Sequence, residues 1–177
     1  MPFTTFQSFV GPDAAELNRF PVQIASAIKT VDETVTSSTT MQDDNELFVD
    51  VLANTTYWVT AMIIYAAATT RDLKMSFAGP GGSSMNWVSD AFASSIAAGI
   101  LVDEVSRTLQ TLGSTPSPGG NGTAPSVGNN LFCVPRGIFT TGANDGTLTF
   151  QWAQLSSGTP GTIVRADSVL LVRRLTV

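Results

Sequence analysis

The chain has no histidine, a single cysteine and few charges. Only 13% of its 177 residues are Asp, Glu, Lys or Arg, about half the usual quarter. Each shortage excludes something. Without histidine, the side chain that most often does acid–base work at neutral pH is missing. With Cys133 alone, no intrachain disulfide and no cysteine-based metal site can form. Cys133 sits between Phe132 and Val134, a setting that predicts an inert buried thiol rather than a nucleophile. The only lysines are Lys29 and Lys74, so a serine nucleophile would have little choice of base.

The net charge is −5 with a pI near 4.4. The nine basic residues are scattered, which does not suit nucleic-acid binding through the backbone. Arg173 and Arg174 are adjacent, but alternation along a strand would turn them to opposite faces. No charged stretch precedes an apolar run at the start, so a signal peptide is not expected. The run Tyr57 to Ala68 is too short to cross a bilayer, so no membrane insertion is expected. Low charge leaves two readings of the surface. Either Ser, Thr, Asn and Gly keep it soluble, or much of it faces other protein.

What is present is strand pattern. "ELFVDVL" alternates, with Leu47, Val49 and Val51 on one side and Phe48, Asp50 and Leu52 on the other. "TLTFQWAQL" places Leu148, Phe150 and Trp152 on one face. Short runs of this kind recur between Gly-rich turns such as "GPGGSS", "GANDG" and "SSGTPG". About eight strands at such spacing predict an all-β jelly-roll β-sandwich of antiparallel strands over residues 31–177.

Residues 1–30 differ. They are dense in Phe and read as a short helical or extended arm. A helix over residues 11–20 would start at a capping box, Asp13 with Glu16, and stop before Pro21. Such an arm is expected to anchor the domain on a neighbour. Residues 92–112 fit helix or strand equally. Residues 113–130 are rich in Gly, Pro, Ser and Asn and predict a long exposed loop.

The strand Tyr57 to Tyr65 poses a question. Its odd face (Tyr57, Val59, Ala61, Ile63, Tyr65) and its even face (Trp58, Thr60, Met62, Ile64) are both largely apolar. A strand of a solvated sandwich normally has one polar face. Something must cover the second, either another part of the chain or another subunit. A symmetric homo-oligomer is the expectation.

Signals for chemistry are weak. Asp43, Asp44 and Glu46, and Asp103 with Glu104, are paired acids that could serve a glycosidase or hold calcium, but usually such acids are solvated charge. "GPGGSS" lacks the ending of a phosphate loop. Asn54-Thr55-Thr56 and Asn121-Gly122-Thr123 match the glycosylation pattern. Trp58, Trp87 or Trp152, if exposed, could stack on a sugar, though Trp152 falls with Leu148 and Phe150. No catalytic residue, cofactor or metal site is expected.

The segments "DDNELFVDVLANTTYWVTAMIIY", "DLKMSFAGPGG" with Trp87, and "GTLTFQWAQLSSGTPGTIVRADSVLLVRR" resemble small structural proteins of tailed phages of actinobacteria. Asp43, Asp44, Asn54, Tyr57, Asp72, Pro80, Gly146, Gln151, Trp152 and Ser168 are among the positions that carry it. The resemblance covers roughly residues 31–174 and thins over 92–130. It implies a non-enzymatic protein of the virion surface, assembled in the host cytoplasm. Its place would be the capsid exterior, as a decorating knob, or the tail, as a minor tail or receptor-binding tip protein that binds host glycan. It also implies a trimeric jelly roll like that of the tumour-necrosis-factor/C1q proteins. The partners it implies are further copies of the chain and, through residues 1–30, a major capsid or tail protein.

Overall fold

The structure is a computed structural model; residues 24–92, 105–106, 108–120 and 130–175 are described. All regular structure among them is β, and every pairing is antiparallel. The strands are β1 (Ile24–Ile28), β2 (Glu33–Val35), β3 (Gln42–Val51), β4 (Thr56–Ala66), β5 (Leu73–Ala78), β6 (Ser84–Val88) and β7 (Ala91–Phe92). They continue as β8 (Val105–Ser106), β9 (Gln110–Thr111), β10 (Leu131–Cys133), β11 (Arg136–Thr140), β12 (Gly146–Gln154), β13 (Thr162–Val164) and β14 (Val169–Arg174).

Many of these are fragments of longer paths. β10 and β11 run along β4 in one register, Cys133 opposite Ile63 and Arg136 opposite Thr60, with Pro135 between them. Proline has no N–H to give the ladder, yet its carbonyl still accepts from Ala61 N at 2.8 Å. β6 and β7 break likewise at Asp90, whose φ is 44°. β8 with β9, β1 with β2, and β13 with β14 are the other interrupted paths. The larger sheet has eleven strands; these five pairs together with β4 make it six paths wide. Its order is β1/β2, β13/β14, β4, β10/β11, β6/β7, β8/β9. The smaller sheet is β3–β12–β5. The fold class is therefore the expected all-β jelly-roll sandwich.

The core lies between the sheets. Leu47, Val49 and Val51 of β3 and Leu148, Phe150 and Trp152 of β12 point into it, as alternation predicts. From β4 the odd residues enter: Tyr57, Val59, Ala61, Ile63 and Tyr65 are all buried. Phe77 stands edge-on to Trp87, with centroids 5.1 Å apart, and to Phe150 at 5.7 Å, the edge-to-face geometry that aromatic quadrupoles favour. Glycine is required at 137, because a Cβ there would sit 2.2 Å from the Asn86 carbonyl and 2.6 Å from Trp87 Cβ.

Two expectations change and one open reading closes. The sandwich begins at Ile24, before the pattern shift near residue 31, because β1 pairs with β14 along its whole length. Within 92–112, left open between helix and strand, the described regular structure is strand: β8 pairs with β7, and β9 with β6. The loop after β9 is not free surface in its first half. Gly113 N donates to Phe77 O at 3.3 Å, and Met75 N donates to Pro116 O at 3.0 Å. Leu73 N reaches Gly119 O at 3.4 Å, and Ser117 Oγ donates to Leu73 O at 2.7 Å. Residues 113–119 thus cover the open edge of β5, which would otherwise offer unpaired N–H and C=O groups. Loop composition hid this, because backbone pairing does not need apolar side chains. The helix expected over 11–20, and residues 121–129, lie outside the described residues.

Candidate functional site

The outer face of the larger sheet answers the question posed by β4. Its even residues point away from the core. Trp58 lies in register between Ile138 of β11 and Arg173 of β14, Thr60 between Arg136 and Leu171, and Met62 beside Val169. Trp58 and Met62 each keep 43% of their surface, Leu171 39% and Ile138 38%. Ile24 and Ile28 of β1 extend the face past β14, and Phe132 of β10 extends it the other way, opposite Ile64. These residues come from four stretches far apart in sequence, β1, β4, β10/β11 and β14, and pairing makes them neighbours.

The outer face of the smaller sheet is different. Asp50 stands opposite Thr147, and Gln151 Nε2 donates to Asp43 Oδ1 at 2.7 Å. Phe48, opposite Thr149, is its large apolar member. One outer face is thus largely polar, while the other carries large exposed apolar side chains around Thr60, Arg136 and Arg173.

The acids flagged in the sequence have a different role. The Lys29 ammonium is fully buried, 2.9 Å from Asp44 Oδ1 and 2.8 Å from Glu33 Oε2, with Glu46 at 3.9 Å. Asp44 Oδ1 also accepts from the backbone N–H groups of Glu46 and Leu47, and its Oδ2 accepts from Trp152 Nε1 at 3.1 Å. Burial works to lower the Lys29 pKa, but hydrogen bonds to Glu33 and Asp44 outweigh it and hold the amine charged, above its usual 10.5. Glu46 takes a short hydrogen bond from the Thr30 hydroxyl, and its carboxyl is held below the usual range by that bond first. Asp44 and Glu46 of "QDDNE", with Glu33, therefore surround one buried lysine, while Asp43 lies on the outer face. Sequence reasoning missed this because Lys29 lies in the segment read as an arm.

The remaining flagged residues fall as follows. Trp87 and Trp152 are in the core, and only Trp58 of the three tryptophans faces out. Cys133 is buried with its Sγ 3.7 Å from Met75 Sδ, and burial pushes its thiol well above the ordinary range. Tyr65, buried beside it, is pushed up in the same way and donates to Pro118 O at 3.2 Å. Asn54 occupies the turn between β3 and β4 with φ 50°. Asp103, Glu104 and Asn121 lie outside the described residues. Among the described residues no cluster of His, Cys, Asp and Glu is arranged to hold a metal ion, and no helix is long and apolar enough to cross a membrane.

No family model and no curated protein matches the chain. Among solved structures it shows a weak likeness to the infectious bursal disease virus VP2 subviral particle, with TM-score 0.23 and 8% identity over 88% of this chain and 42% of that one. The infectious bursal disease virus Gx strain structure is matched at TM-score 0.22 and 10% identity, over 87% of this chain and 35% of that one. The chain thus spans less than half the length of either viral protein, and scores at this level are too low to transfer any property.

Proposed function

We propose that the chain is a non-enzymatic structural protein of a virion, of the tailed-phage kind its sequence resembles, and that it forms a homotrimeric knob on the capsid surface. The observation that carries the oligomer is the contrast between its two outer faces. Trp58, Met62, Ile138, Leu171, Ile24 and Ile28 are large apolar side chains exposed on one face, interrupted by Arg136 and Arg173, whereas the opposite sheet is dressed mainly with Asp, Thr and Gln. Covering the part of these side chains that is still exposed stabilises by roughly 1 kcal/mol each, and several together work against the cost of association. A closed ring of three lets each subunit set this face against its neighbour without leaving an open surface. The virion assignment rests on the sequence resemblance. Since β1 belongs to the sandwich, the anchoring role falls to the residues before Ile24, with a major capsid or tail protein as the partner.

Sedimentation equilibrium at micromolar concentration tests the oligomer, with a trimer expected and a monomer refuting it. Cryo-electron microscopy of labelled particles tests placement, with density expected on the capsid shell. Density at the tail tip, together with glycan binding that Trp58→Ala abolishes, would instead support a receptor-binding protein.

A further inference from the structure

The cage around Lys29 holds the parts of a condensation reaction. A primary amine and a carboxyl, both with fully buried side chains, meet at 2.9 Å. A second carboxylate, Glu33, touches the same amine at 2.8 Å. Two backbone N–H groups, of Glu46 and Leu47, converge on Asp44 Oδ1 at 3.0 and 2.9 Å. A pair of donors on one carboxyl oxygen is the arrangement that stabilises an oxyanion when the carbon is attacked. We propose that Lys29 and Asp44 form an intrachain amide bond, autocatalytically, with Glu33 as the proton carrier.

The reaction balances without a co-reactant. The Lys29 ammonium gives a proton to Glu33, which frees the nitrogen lone pair. Glu33 turns from Nζ and hands that proton to Asp44 Oδ2, so that Nζ attacks Cγ of a neutral carboxyl and the negative charge collects on Oδ1, facing the two N–H donors. Glu33 then takes a second proton from nitrogen and passes it to the Oδ2 hydroxyl. Oδ2 leaves as water, and the amide keeps the third hydrogen of the ammonium. The first step is uphill, because the carboxylates hold the amine charged. Near-perfect placement is what compensates for that in an intramolecular reaction. The product would join the segment after β1, in the larger sheet, to β3 in the smaller one. It would tie the sandwich together covalently in a chain whose single cysteine cannot do so.

The test is tryptic mapping of the denatured full-length protein. An unlinked chain is cut after Lys29 and yields residues 20–29 and 30–71. A linked chain yields residues 20–71 in one piece, lighter by one water, with fragment ions placing the link at Lys29 and Asp44. Intact mass alone does not serve, because the Asp145-Gly146 bond can also lose water through a cyclic imide. Free Lys29 in fully folded wild-type protein overturns the proposal. Glu33→Gln, at a partly exposed side chain, should fold and slow the linkage by about 100-fold or more, the scale of general acid–base catalysis. Linkage of Glu33→Gln at the wild-type rate overturns the role given to Glu33.

Discussion

Trp152 and Asp44, more than a hundred positions apart, meet in the core, the indole Nε1 donating to Oδ2 at 3.1 Å. The contact holds a fully buried carboxylate that also faces Lys29. With Lys29 and Asp44 paired as ions, Asp44→Ala should therefore cost about 3–5 kcal/mol; with the two joined as an amide, it would remove a cross-link as well and cost more. It strands the Trp152 N–H and two backbone N–H groups as well. Urea unfolding of the variant against wild type checks this, and a loss below about 1 kcal/mol would show the cage to be weakly coupled to folding.

Parity along β4 separates two substitutions that look alike in sequence. Ile63 is fully buried and faces the core, so Ile63→Asp should prevent folding. Met62 faces out, so Met62→Asp should give a folded β protein that no longer self-associates. Circular dichroism and sedimentation, run together, distinguish the two. A folded trimer from Met62→Asp would move the interface elsewhere.

The segment 113–119 should not behave as a spacer. Replacing residues 114–119 by a Gly/Ser linker removes the Ser117 hydroxyl bond and disturbs the pairing with Leu73 and Met75. Each net hydrogen bond contributes about 0.5–1.5 kcal/mol, so a loss of about 2–3 kcal/mol is expected in thermal unfolding. An unchanged melting temperature would mean that the β5 edge tolerates exposure.

Gly137→Ala should destabilise by about 1–3 kcal/mol, the usual cost of overpacking. The added methyl would meet the Asn86 carbonyl and Trp87 at distances no carbon tolerates. Reduced exposure change of Trp87 fluorescence on unfolding, with a lower denaturation midpoint, is the combined signature; wild-type stability would mean that β6 and β11 can part locally.

Alkaline pH should erode stability. Burial raises the Cys133 and Tyr65 pKa values in the folded state above their ordinary 9.0 and 10.0. Both acids stay neutral when folded and ionise when unfolded. Their contribution is whole below pH 9 and is lost as pH rises above those ordinary values. Cys133→Ala should lower overall stability yet flatten the fall between pH 8 and about 10, which denaturation midpoints across that range would show. An unchanged slope would assign the fall to other groups.

Much of this fold is legible in the residues. The alternation in "ELFVDVL" and "TLTFQWAQL" places Leu47, Val49, Leu148, Phe150 and Trp152 inside, because a strand turns successive side chains to opposite faces whatever its partner is. Gly-rich turns mark the strand ends. The absence of histidine and the lone Cys133 limit chemistry before any coordinate is known. What needed tertiary structure is whatever depends on neighbours. Alternation shows that β4 has two apolar faces, but the sheet of β3, β12 and β5 packed over one of them decides which is buried. Lys29 and Asp44 carry no mark of each other in sequence. They meet because β1 closes the edge of one sheet over β3 of the other, and a long-range ion pair has no period to detect. The loop at 113–119 reads as spacer because its role is carried by backbone N–H and C=O groups, which every residue type shares.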